Sequence, residues 1–469
     1  MSTPLHFFDW TILLIYFIAV IWIGLFKSGK FRTSTTKFIL AGRRLSLPGF
    51  IATLVTTWYG GILGIGENTY NNGIQTWFIF GLPYYVFAIV FALFMASKIQ
   101  KAQQISIPDH FYSKYGKAAG VISAIYLLFL ASPAPYILSI GILLKFATGI
   151  PLGLAIISSA IFSLVYIWFG GFRSVVRTDI LQFILMFGSF VILLIFAWNK
   201  IGSPLSIVSS LPESHISPLG DHSLQYVVVW FFIALWTFVD PGFYQRCAAA
   251  KSPDVARRGI LISIILWFIF DSLTLLSGLY ARAHLPDSPA LYALPLFGAN
   301  ILPTVFYGLF LTGLIATIMS TIDSLGLISA VTFGRDVLWR IKNRSKSNIH
   351  DNSIYFVQIG LIVTSLIAIS LALLVPSVVN LWYITGSVIV PGLLIPFLLT
   401  FTRFSLQKSE GLCLIIIPVM VTLTWFIYGR ITGYFPLNLE PFYPGIATSI
   451  SIMIIVYYKG KLLGRINIE

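Results

Sequence analysis

Gly308 to Arg340 reads GLFLTGLIATIMSTIDSLGLISAVTFGRDVLWR, and the reading of this stretch decides the fold. It is long enough to cross a bilayer as a helix. Gly313, Thr317, Ser320 and Ser324 recur at helical spacing with Thr321 beside them, while Ile318, Ile322 and Leu325 form the opposite, apolar stripe. Asp323 falls in the middle, where a carboxylate is costly and needs a partner or a water-filled cavity. Hydroxyls, a carboxylate and a helix thinned by glycine offer hard oxygen ligands to a small cation. The competing reading is close helix packing through small residues, with serines bonding back to their own helix. The rest of the chain decides between the two.

Of 469 residues, 57% are hydrophobic and only 10% charged, with a mean hydropathy of +0.90. So little charged surface excludes a soluble domain of this size and indicates a polytopic membrane protein. Strict alternation and evenly spaced short strands are absent, which excludes a β-barrel and leaves an all-α bundle. Cys247 and Cys413 lie in or beside apolar segments with no metal or redox spacing. The first apolar run lacks a basic region and cleavage site, so it reads as a retained helix. Helices placed by hydropathy number about 13, at approximately 9–26, 48–70, 75–98, 118–146, 151–170, 175–199, 225–247, 257–281, 302–336, 354–376, 379–402, 411–429 and 443–458.

The net charge of +14 follows the membrane and does not mark a nucleic-acid partner. With the N-terminus outside and the C-terminus cytoplasmic, 26 of 30 basic residues fall on the cytoplasmic side, Arg246, Arg335 and Arg340 among them. Lys145, Lys200, Arg282 and Arg430 remain outside. Asn343-Arg344-Ser345 matches a glycosylation sequon but falls on the cytoplasmic side, where it is inert.

Taken in order, the first helix (9–26) reads as peripheral. The second, FIATLVTTWYGGILGIGENTYNNG, carries Gly60, Gly61, Gly64 and Gly66, with Glu67 near its outer end; glycines here weaken the helix and free carbonyls. The fourth contains Ser132-Pro133-Ala134-Pro135-Tyr136, which must kink it. Asp179 stands at a cytoplasmic boundary beside Arg173 and Arg177, as an ion-pair partner, a cation ligand or a gate residue. The seventh is interrupted by Asp240-Pro241-Gly242. Interruptions five helices apart are the pattern of a transporter site built on an inverted repeat, here helices two to six (48–199) against seven to eleven (225–402). Residues 411–458 read as accessory helices of one transporter domain spanning 1–469, with no appended soluble domain.

Four segments in order, AGRRLSLPGF…TTWYGG, GGFRSVVRTDILQ, VDPGFYQR and GLIATIMSTIDSLGLISAVTFGRD, resemble the sodium:solute symporter family, which includes sodium/proline, sodium/glucose, sodium/sialate and choline cotransporters. The resemblance implies a LeuT-type fold with a five-plus-five inverted repeat and helices two and seven broken at mid-membrane. It also implies a sodium site in which Thr317 offers its carbonyl and Ser320 and Thr321 their hydroxyls, as a hard cation requires. On the second helix, matching the TTWYGG core selects the carbonyls of Thr56 and Tyr59, while an ungapped match to Tyr70 and Gly73 selects Leu54 and Thr57. The family's further cation site maps to Asp179, Asp323 and Ser324, where an added charge leaves a second cation or a proton as occupant.

The expected function is sodium-coupled uptake of a small polar organic solute across the cell membrane. The solute would be lined by Tyr59, Gly61, Glu67, Tyr136, Trp236 and Asp240. Proton coupling is the first alternative, followed by a cation channel or a transporter-like sensor. No nucleophile–base arrangement or histidine ligand pattern indicates an enzyme, and no obligate protein partner is evident.

Overall fold

The computed structural model describes residues 5–26, 34–342, 353–404 and 406–462. Lys27, Lys30 and Arg32 of the first basic loop, the sequon at Asn343, Lys346 and Arg465 lie outside the described residues. The described chain is helical; its one extended pairing is an isolated bridge between Leu45 and Ala250. Ten helices are long and apolar enough to cross a membrane, or eleven when Leu47–Trp58 and Ile62–Asn72 count as one bent span. The expected count of about 13 is not reached on that criterion. The segment expected at 151–170 has a shorter apolar helix, Leu152–Val165, and the one expected at 443–458 lies in Phe442–Leu462, which is not among the ten.

The stretch at Gly308 is the axis of the bundle. Phe306–Val331 is a continuous helix, and 94% of the most apolar window of the span Phe306–Lys342 is buried inside the protein. Lipid is as apolar as leucine, so composition alone does not bury a helix in a membrane; small residues that let backbones approach do. Gly313 lies against Ser189 and the Leu185 carbonyl of the neighbouring helix, and Gly308 against Asp9. The helix then continues as a π-helix over Thr332–Trp339, a wider turn that puts Arg335 and Asp336 inside the protein.

Both anticipated breaks are present, each with a local cause. Leu47–Trp58 and Ile62–Asn72 meet at an angle of 54°. At the corner a Cβ on Gly60 would collide with Thr321 and Tyr136, and one on Gly61 with the Trp382 ring. In the seventh span, Leu224–Ile233 tightens into a 3₁₀ turn over Ala234–Val239, then the chain becomes extended at Asp240. Pro241 restarts it as Pro241–Ala249, with the Asp240 side chain accepting from Phe243 N at 2.8 Å. Proline at the first helical position forfeits no hydrogen bond, and Asp is a preferred cap.

Ser132 and Pro133 interrupt the fourth span, Lys117–Thr148, between Lys117–Leu130 and Ala134–Thr148, as its prolines require. The expected helices 151–170 and 175–199 fall within Leu152–Ile201, which is broken at Gly171, whose φ of 58° and close approach to the Phe38 carbonyl leave no room for a side chain. The first helix, Phe7–Leu25, is peripheral in that only 28% of its apolar window is buried. It nevertheless reaches the centre: Asp9 Oδ1 accepts from Val305 N and Gly308 N at 3.0 and 2.9 Å, capping the central helix, and buried Tyr16 lies against Met319.

Arg246 and Arg335, counted above with the cytoplasmic side, are buried, at 0% and 6% exposed. Arg335 and Arg340 converge on Asp109 and Asp336 at the end of the central helix.

Candidate ion and solute site

The corner at Tyr59–Gly61 divides the centre of the protein into a polar half and an aromatic half. The polar half is built where the first broken helix, the central helix and the arm after Gly171 meet. Ser320 Oγ lies 2.6 Å from Asp179 Oδ1 and 2.8 Å from the Thr56 hydroxyl. The Thr56 hydroxyl donates back to Ala52 O at 2.9 Å. Each hydroxyl carries one proton. Two protons therefore serve three contacts, which leaves facing oxygens without a hydrogen between them. Asp179 is fully buried, and its Oδ2 has no hydrogen-bond partner among the described residues. Thr321 Oγ1 donates to the Thr57 carbonyl at 2.8 Å, and the Thr317 hydroxyl bonds back to Gly313 O at 2.7 Å. This is an oxygen-rich, proton-poor cluster of the type a small hard cation satisfies.

Of the two possible registers on the second helix, the structure turns the Thr57 carbonyl toward Thr321. The Thr56 carbonyl accepts from Tyr59 N, and the Tyr59 carbonyl from Ile62 N, so both are engaged in the turn through the corner. The Tyr59 hydroxyl donates to Trp267 O at 3.0 Å. In the structure Thr56 faces Ser320 by its hydroxyl, and the Thr57 carbonyl faces Thr321.

Arg246 closes the polar half. Its Nη2 donates to Ser324 Oγ at 2.6 Å, Thr57 Oγ1 at 2.8 Å and Thr53 Oγ1 at 2.9 Å, while Nη1 reaches Gly242 O and Gln245 Oε1 at 3.4 Å. Ser324 Oγ thus accepts from the guanidinium and also lies 2.9 Å from the Thr57 hydroxyl. Asp323, also fully buried, shares electrostatic reach of the Tyr16 hydroxyl with Asp179, and that hydroxyl accepts from Gln182 Nε2 at 3.1 Å. Arg246, Thr53, Tyr16 and Gln182 were not singled out in the sequence, whereas Thr57 belongs to one of the two registers it offered. For Arg246 the available signal was its position four residues after Gly242, on the short helix restarted by Asp240.

The aromatic half is a cavity of about 110 Å³. Gly61, Tyr136, Trp236, Asp240 and Tyr59 line it as expected; Glu67 does not, lying half-buried farther out on Ile62–Asn72. Trp58, Trp77, Tyr84, Trp382 and Asp271 also line it and were not anticipated. Indole and phenol rings pack edge to face around it, Trp58 on Tyr84 at 4.8 Å and Phe80 on Trp382 at 5.7 Å between centroids. Trp382 Nε1 donates to the Tyr136 hydroxyl at 3.2 Å.

A family model described as the sodium:solute symporter family matches residues 38–404. The sodium/pantothenate symporter of Haemophilus influenzae is 27% identical over 279 residues, covering 57% of this chain and 58% of that protein. High-affinity choline transporter 1 of Drosophila melanogaster is 24% identical over 428 residues, covering 84% of this chain and 66% of that protein. These alignments span less than two thirds of either relative, and both relatives are transporters, not enzymes. Among solved structures, a Na+-coupled sialic acid symporter in a substrate-bound outward-open state superimposes with a TM-score of 0.79 at 18% identity, covering 97% of this chain and 98% of that one. At that identity the likeness is one of fold.

Proposed function

This chain belongs to the sodium:solute symporter family, and on that premise we propose that it couples inward sodium flow to the uptake of a small polar organic solute by alternating access. The observation that carries the proposal is the proton-poor oxygen cluster of Ser320, Thr56 and Asp179 beside the Thr57 carbonyl. In this reading sodium is held by the Ser320 and Thr321 hydroxyls, the Thr317 carbonyl and the first broken helix, with Asp179 supplying charge. Transported sodium neutralises buried carboxylate, and the solute occupies the aromatic half across the same corner. A protein that binds both at one hinge makes the closure of each site depend on the other.

The finer architecture belongs to the same proposal. About 13 spans are arranged as a five-plus-five inverted repeat of 48–199 and 225–402, with 411–458 accessory and one transporter domain overall. The N-terminus lies outside and the C-terminus in the cytoplasm of the cell membrane. Asp323 is the residue for a second cation or a proton, being a fully buried carboxylate near Asp179.

The test is uptake by proteoliposomes containing the full chain, screened over amino acids, sugars, carboxylates and amines with sodium or potassium outside. Solute accumulation that requires a sodium gradient supports the proposal. Accumulation driven equally well by a proton gradient without sodium replaces sodium by protons, and cation flux without any solute indicates a channel.

A further inference from the structure

The aromatic cavity has a second property that sodium coupling does not use. Asp271, the nineteenth residue of the 32-residue helix Pro253–His284, puts a carboxylate into its wall at mid-helix. The Tyr85 hydroxyl donates to its Oδ2. Among the described residues no lysine, arginine or histidine forms an ion pair with it. Asp240 stands in the same wall, and Arg246 is the one basic side chain among the lining residues. Both Nη atoms of that arginine already donate to protein oxygens. An anionic solute would find two carboxylates and a guanidinium committed elsewhere.

A charge deficit bounded by aromatic rings is the surrounding that favours an organic cation, because ring faces attract positive charge and a buried carboxylate needs a counter-ion. The volume of about 110 Å³ holds roughly 7–11 water-sized groups at ~10–15 Å³ each, which suits a compact solute.

We propose that the cavity takes a small organic ammonium ion, its charge set against Asp271 and its alkyl groups against Trp236, Trp382, Trp58 and Tyr136. This rests on the transporter reading above and names the chemical class of its solute. The ammonium group and sodium then occupy opposite sides of the corner, the ammonium set against Asp271, which has no ion-pair partner among the described residues.

The experiment compares two probes of the same shape on the full chain in proteoliposomes, (2-hydroxyethyl)trimethylammonium and its uncharged carbon isostere 3,3-dimethylbutan-1-ol. Binding is read by the fluorescence of the cavity tryptophans, with sodium or potassium present. The expected result is binding of the cation at least about tenfold tighter than the isostere, reduced by Asp271→Asn by about tenfold or more and partly restored in Asp271→Glu. The wild-type comparison of the two probes decides the matter even if an Asp271 variant fails to fold. Equal binding of both probes, or binding of neither while a neutral or anionic solute binds with sodium dependence, overturns the ammonium assignment and leaves sodium coupling standing. Tight binding of the cation that ignores sodium supports the assignment and overturns the coupling instead.

Discussion

The two halves on either side of Tyr59–Gly61 share helices yet work by opposite physics. In the polar half, Thr53, Thr56, Thr57, Asp179, Ser320, Thr321 and Ser324 lie within hydrogen-bond distance of one another or of Arg246. Every group there is placed by a directional contact, so loss of one strands another. In the aromatic half, rings hold one another by edge packing around a void, and only a few polar atoms face it. Losing one ring there widens the cavity without stranding a charge. A directional, crowded site selects by ligand number and distance, while a soft-walled one selects by charge and shape. The glycine corner lets both kinds of surface meet at one point of one helix.

The largest effect should come from removing the clasp between the halves. Arg246→Ala strands three hydroxyls and deprives buried carboxylates of a positive charge, a loss of about 3–5 kcal/mol by analogy with broken buried ion pairs. Thermal unfolding followed by size-exclusion fluorescence should show a markedly lower midpoint or no folded protein. Near-wild-type stability would mean the two halves do not depend on this arginine. Arg246→Lys keeps the charge without the fork and should fall between.

Next in size are Ser320→Ala and Thr321→Ala. Each removes one oxygen from the polar half at little packing cost, since such a truncation in a membrane helix is worth about 0.6 kcal/mol as packing. A lost contact to a charged species is worth about 1.5–3 kcal/mol, so the sodium dependence of uptake should move to higher concentration by about one to two decades. Solute affinity should weaken at low sodium and recover as sodium rises. Unchanged sodium curves in both variants would put the ion elsewhere.

A smaller and more selective effect is expected at Asp240. Asparagine caps a helix as well as aspartate does, so Asp240→Asn should preserve the restart at Pro241 and cost under about 0.5 kcal/mol of stability. Its effect should fall on the affinity of a cationic solute, by about three- to tenfold, with the sodium curve held. An equal loss of both affinities together with poor folding would make Asp240 a structural cap only. The smallest effect is assigned to Tyr16→Phe, which removes the neutral hydrogen bond accepted from Gln182 and the weak one donated to Met319 Sδ. A loss of about 1 kcal/mol in stability or several-fold in sodium affinity would tie the first helix to the polar half. No change would return it to the periphery.

Much of this was legible in the linear chain. Hydropathy marked the helical class and the membrane, glycine and proline marked the breaks, and the stripe Thr317–Ser320–Ser324 marked the helix at the centre. These are local properties: a break needs only residues that cannot continue a helix, and a stripe needs only periodicity. The chain alone left two registers open for the second helix, because a carbonyl carries no side-chain label. That the Thr57 carbonyl accepts from the Thr321 hydroxyl became visible only in three dimensions. Counting arginines by loop gave a coherent charge pattern but no sign that Arg246 is buried, since a residue near a helix end is indistinguishable by position from one folded back under a break. Asp271 was passed over for a similar reason: a single acid in an apolar span has no periodic partner, and its partners, Tyr85 and the cavity walls, lie on other helices.

What the sequence determined by itself was therefore the kind of object, an all-helical membrane protein with two interrupted spans and a hydroxyl-bearing axis. The bilayer allows few ways to satisfy a backbone, and each leaves its period in the chain. Which oxygens face one another, which carboxylates go uncompensated and which rings surround the void were decided only in three dimensions. In a membrane, hydrophobicity does not choose between helix faces, and close packing of particular residues does.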